Sequence, residues 1–147
     1  IEHLYYPRYL NLFFPLKDGI WAIKDNKTML KIICFYLSKY LDFNGVKNYS
    51  YNYLGFENRT DASKKLAIIF NDKQSNVKNF EDMFDSVNDN HRKGWYQKPI
   101  SKSFKDVVRI YSKLTKGELE VLCKKLINKD FFRCRRGEIW KKLYYLI

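Results

Sequence analysis

Arg133, Arg135 and Arg136 stand within four residues of one another near the end of the chain. A guanidinium is planar and meets phosphate with two parallel hydrogen bonds, so three of them at one turn suit contact with a nucleic-acid backbone. Lys141 and Lys142 follow, and the plainer reading of the group is a charged edge hairpin protected against aggregation. A second constellation, His91-Arg92-Lys93-Gly94-Trp95-Tyr96, sets cations beside aromatics. Arg92 and Lys93 can hold phosphate while Trp95 stacks on a base, and stacking contributes about 1–3 kcal/mol per base. Trp95 can equally anchor the loop back onto the core.

The charge is unevenly divided. Residues 1–90 hold 12 Lys+Arg against 11 Asp+Glu, and residues 91–147 hold 16 against 5. A compositional bias toward lysine would act on both parts alike and does not produce this split. An excess of this size repels itself in a folded chain, which a polyanionic partner relieves. Nucleic acid is the leading partner, with membrane phosphate second and a solubilising basic face as the partnerless alternative.

Catalytic and metal chemistry are poorly provided for. The two histidines, His3 and His91, have no Ser or Cys in a recognisable arrangement, and the six glycines are scattered singly rather than forming a phosphate loop. Three cysteines (Cys34, Cys123, Cys134) form no CxxC pair, so neither a zinc site nor a disulfide framework is indicated. The chain is read as a non-enzyme that needs no metal and no cofactor, in a reducing, intracellular compartment. Apolar stretches fall short of the roughly 20 residues of a membrane span. The chain begins at Ile1, which fits a domain cut from a longer protein.

The elements that must position these groups are mostly helical. Residues 4–16, with prolines at 7 and 15, read as an extended or broken-helix segment. From Asp25 the apolar residues Met29, Ile33, Tyr36, Leu37, Tyr40 and Leu41 recur at helical spacing, and Asn44-Gly45 closes that helix. A short helix or turn spans residues 49–54. Asn58 or Thr60 opens another helix burying Ala62, Leu66, Ile69 and Phe70, with Arg59, Ser63 and Lys64 off that side. The next helix places Val77, Phe80, Met83, Phe84 and Val87 inward, and Glu81, Asp82 and Asp85 outward on a solvated face. After a polar loop over 88–99, Ser101 or Ser103 caps a helix burying Phe104, Val107, Val108, Tyr111 and Leu114. Thr115 and Glu118 have the spacing of a capping box for a further helix. Residues 130–147 read as a β-hairpin with Arg136-Gly137 near its turn.

The run Gly19-Ile20-Trp21, the long helix after it, and Asn58-Arg59-Thr60-x-x-Ser63-Lys64-Lys65-Leu66 together resemble a helical module preceding the nuclease domain in some bacterial HNH-type restriction endonucleases. The resemblance covers roughly residues 19–85. It implies a DNA-reading accessory module of a restriction-modification kind, with Arg59, Ser63 and Lys64 as contacts. No HNH catalytic motif is present, so the catalytic domain would be fused or separate.

The expected fold is mainly α: five or six helices with a small C-terminal β-hairpin, in the order of a winged-helix module. Residues 1–90 form a near-neutral, helix-turn-helix-like part and 91–147 a basic part, together one compact unit. The expected function is binding of DNA before RNA, as a module of a defence, mobile-element or regulatory protein. The rival is a helical interaction domain whose basic part docks an acidic partner protein.

Overall fold

Between Met29 and Ser38 the sequence runs MLKIICFYLS, and nine of these ten side chains are buried. A helix that is apolar on every side has to be surrounded, and this one, α1 (Asn26–Lys39), is the centre of the structure. The computed structural model describes residues 13–15, 20–23, 26–88, 90–92, 99–128 and 134–135, the three short strands by their backbone alone. Around α1 stand α2 (Tyr49–Tyr53), α4 (Gln74–Asp85), α5 (Lys102–Tyr111) and α6 (Lys116–Ile127), while α3 (Arg59–Ile69) packs on α4. Residues from both sides of the charge divide share one apolar cluster, from Leu30, Phe35 and Phe84 to Val107, Leu119 and Leu126. The described part is thus mainly α, as expected.

Local chemistry accounts for where these helices stop and start. α1 ends at Lys39, earlier than expected, and Asn44-Gly45 forms the tip of a separate tight turn. Phe43 and Val46 exchange backbone hydrogen bonds of 3.1 and 2.9 Å across it, with positive φ at both central residues, a conformation that Asn-Gly tolerates. Asn58 caps α3 by accepting from the Asp61 amide at 2.9 Å. At its other end Asn71 adopts positive φ, and the Asp72 amide reaches back to the Ala67 carbonyl at 2.8 Å, a Schellman closure with Asn in the glycine position. The capping box of α6 is formed: Thr115 Oγ1 accepts from the Glu118 amide at 3.2 Å and Glu118 Oε1 accepts from the Thr115 amide at 2.9 Å. Ser101 occupies the N-cap of α5 without a side-chain cap bond.

Three short antiparallel strands complete the description: β1 (Phe13–Pro15), β2 (Ile20–Ile23) and β3 (Cys134–Arg135), in the order β1-β2-β3. Strand β3 pairs with β2, setting Arg135 opposite Ile20 and Cys134 opposite Trp21. The C-terminal strand therefore bonds to the N-terminal segment. The remainder of the expected hairpin, including its turn and Lys141, lies outside the described residues.

Candidate nucleic-acid interface

Two of the three carboxylates expected on the outer face of α4 are turned inward, and Asp82 is half-buried. Glu81 is 0% exposed and Asp85 is also buried, whereas Val87, expected inward, is exposed. Val77, Glu81, Phe84 and Asp85 repeat at four, three and one residues and form the true inner stripe. Two carboxylates can be buried there because arginines come to meet them. Arg59 Nε donates to Glu81 Oε2 at 3.1 Å, and its Nη2 donates to Asp82 Oδ1 at 2.8 Å and to the Lys78 carbonyl at 3.0 Å. The Tyr51 hydroxyl donates to Glu81 Oε1 at 2.6 Å and accepts from Arg92 Nη1 at 2.9 Å.

Arg92 then joins the second carboxylate. Its Nη2 donates to Asp85 Oδ1 at 3.2 Å, an oxygen that also accepts from Ser38 at 2.6 Å and Asn90 at 3.0 Å. Arg92 Nε and Asp85 Oδ2 lie 3.0 Å apart but out of hydrogen-bond alignment, so that contact is a charge pair only. Burial pushes the Glu81 carboxyl above its ordinary range, and the Tyr51 hydroxyl and both arginines pull against that rise. For Arg59 burial alone would lower the pKa; the Asp82 hydrogen bond and the Glu81 and Asp82 charges reverse the sign and keep it cationic.

This network uses up several residues that the sequence suggests as contacts. Arg59 and Arg92 neutralise internal acids, and Ser63 is buried, donating to the Thr60 carbonyl at 2.9 Å and accepting from Gln74 at 3.1 Å. Lys64 is exposed on α3. Arg135 lies in β3, described by its backbone, while Lys93, Trp95, Arg133, Arg136 and Lys141 fall outside the described residues. The sequence did carry one signal for the network. Its cations are mostly lysine, so an arginine at 59 and at 92 marks places where a planar fork is needed.

Other cations face solvent, and α5 carries three of them in one row. Phe104, Val107, Ile110 and Tyr111 of α5 and Leu114 just beyond it are buried. Lys102, Lys105 and Arg109 are exposed at spacings of three and four, and Lys113 continues the row just past the helix end. One acid accompanies them: Asp106, 3.5 Å from Arg109. The row is held against the core by Phe104, which meets Phe84 and Phe80 edge-on at 5.1 and 5.3 Å between ring centroids. Lys31 of α1 donates to Ser103 at 3.0 Å and lies 4.8 Å from the centre of the Phe104 ring.

A third constellation joins aromatics to lysines where α1, the Asn44-Gly45 turn, α2 and α6 meet. Tyr40, Phe43, Tyr49 and Tyr53 form a row with centroid steps of 6.4, 5.3 and 6.2 Å. All four are partly exposed. Buried Glu120 accepts from the Tyr36 hydroxyl at 2.6 Å and from the Tyr49 hydroxyl at 3.1 Å. Lys116 donates to the Tyr49 hydroxyl at 2.6 Å and sits 4.5 and 4.4 Å from the Phe43 and Tyr49 ring centres. Lys39 lies 5.7 Å from the Tyr40 ring at one end of the row and Lys124 4.1 Å from the Tyr53 ring at the other.

Among the described residues, no group of three or more His, Cys, Asp or Glu is placed to hold a metal ion. No helix among them is long and apolar enough to cross a membrane. No family model, curated protein or solved structure matches the chain.

Proposed function

We propose that the chain binds nucleic acid, DNA before RNA, as a non-catalytic accessory module, and that the exposed cationic row of α5 is its main backbone contact. The observation that carries this is the way charge is sorted. Glu81, Asp82, Asp85 and Glu120 are taken up by Arg59, Arg92, Lys116 and three tyrosines. Lys102, Lys105, Arg109 and Lys113 face solvent beside the single carboxylate Asp106. Their like charges repel one another along one face, a strain that phosphates relieve by displacing condensed counterions.

The order α5, the Ser112–Thr115 turn, α6 and β3 supports a winged-helix arrangement. In such modules the second helix enters a groove and a strand-borne wing follows the backbone. Arg133, Arg135 and Arg136 would belong to that wing, and Lys64 to a secondary contact. Catalysis is assigned to another domain or chain. His91 is held by Asp42 at 2.7 Å, and burial raises the Cys34 and Cys123 thiols, which leaves neither poised as a nucleophile.

The test is a titration of the protein with a labelled duplex oligonucleotide at two salt concentrations. Wild-type affinity is expected to fall steeply with salt. Replacing Lys102, Lys105, Arg109 and Lys113 together by Gln should flatten the log–log salt slope by roughly 0.9 per lost phosphate contact. Absence of measurable binding at low salt would overturn the reading and favour docking of an acidic protein. An unchanged slope in the folded variant would remove α5 from the interface.

A further inference from the structure

We infer that the row Tyr40–Phe43–Tyr49–Tyr53 is a stacking platform for the bases of an unpaired nucleic-acid strand. Lys39 and Lys124 hold phosphates at its two ends, with Lys47 beside the turn between them. The inference rests on the reading that the chain binds nucleic acid, and adds that one part of its surface takes bases rather than backbone.

The row is built to hold its shape. The Tyr49 hydroxyl is fixed twice, by Lys116 at 2.6 Å and Glu120 at 3.1 Å, and Glu120 is itself buried against the Tyr36 hydroxyl. Phe43 stands at one end of the bonded Phe43–Val46 turn, so its position follows from a backbone closure. These four rings are partly exposed although Tyr36 and Tyr51, close in sequence, are fully buried. The core is thus not short of places for tyrosine.

The electrostatics are one-sided. Among the described residues no carboxylate forms an ion pair with Lys39 or Lys124, and Lys47 is exposed. The acids in reach are already occupied: Glu120 by Lys116 at 3.2 Å and Asp42 by His91 at 2.7 Å. A surface of rings and ammonium groups matches a ligand that alternates flat bases with phosphates. Centroid steps of 5.3 to 6.4 Å exceed the roughly 3.4 Å step of a strand within a duplex. The ring planes also turn by 72°, 49° and 23° from one to the next, so bases laid on different rings must come from a strand that is extended and unstacked. In a duplex the base faces are covered, so double-stranded nucleic acid cannot use this row.

The experiment compares three labelled probes of equal length at low salt: oligo(dT), an abasic oligomer with the same backbone, and a duplex. Wild type is expected to bind oligo(dT) about tenfold or more tighter than the abasic oligomer, the effect of at least one stacked base. The Tyr40→Ala/Tyr53→Ala variant avoids the hydroxyls bound to Glu120. It should lose that advantage while its affinity for duplex stays within about twofold. Equal wild-type affinity for oligo(dT) and the abasic oligomer overturns the platform without any variant being needed. So does equal loss on all three probes in a folded variant, or binding of poly-glutamate as tight as that of oligo(dT). Binding of duplex with no base-dependent gain overturns this inference alone, whereas no binding to any probe overturns the nucleic-acid reading as well.

Discussion

Truncating Glu81 to Ala tests the buried charge network most directly. The carboxylate is 0% exposed and accepts from Tyr51 at 2.6 Å and from Arg59 at 3.1 Å. Removing one member of a buried ion pair costs about 3–5 kcal/mol, because the partner charge stays buried without compensation. Here the lower end applies. The Arg59 side chain is 30% exposed and keeps Asp82 at 2.8 Å and the Lys78 carbonyl at 3.0 Å. The expected loss is therefore about 3 kcal/mol, a large share of the roughly 5–15 kcal/mol that holds a domain folded. For a domain of this size it corresponds to a Tm lower by about 6–12 °C. Urea and thermal denaturation followed by circular dichroism measure both quantities. Glu57→Ala serves as a control, because its carboxylate is exposed and has no hydrogen bond or ion pair with another described residue, and it should change stability by no more than about 0.5 kcal/mol. A loss below about 1 kcal/mol for Glu81→Ala, at unchanged denaturant dependence, would mean that this carboxylate is solvated after all and would refute the network.

Thr115→Ala removes the capping oxygen of α6 and should lower stability by about 1 kcal/mol; a variant as stable as wild type would mean the capping box contributes nothing. The pH dependence has a definite sign. Because burial raises Glu81 above its unfolded value of about 4.3, the proton-linked part of its contribution is full below that value and is lost as pH rises through the folded one, while its hydrogen bonds to Tyr51 and Arg59 remain. Glu81→Gln cannot titrate, so its stability should change less than wild type across that window, and parallel profiles would argue against it. Asp61 acts in the opposite sense. The Glu57 amide and Lys65 hold it low, so its contribution is present above about 3.9 and disappears as pH falls below.

Much of the helical frame was legible in the residues because its causes are local. Periodicity placed α1, Asn58 marked the start of α3, and Thr115 with Glu118 announced a cap that both formed bonds confirm. Those signals depend only on neighbours within one or two turns of the helix. The charge imbalance between its two parts is a property of composition and does not depend on the fold.

What the sequence could not settle was which charges remain available. Glu81, Asp82 and Asp85 looked like an ordinary solvated face, and Arg59 and Arg92 like free cations. Only the packing of α4 on α1 and α3 turned Glu81 and Asp85 inward and brought Arg59 from 22 residues away to meet Glu81. Helical spacing alone does not fix the rotation of a short element, and Val87 lies two residues past the end of α4, off the inner stripe that Glu81 joins. The cost of burying a carboxylate depends on partners supplied by distant segments, so its solution exists only in the tertiary structure. The same holds for α5 and for the tyrosine row. Their exposure is decided by which other charges the fold has already consumed.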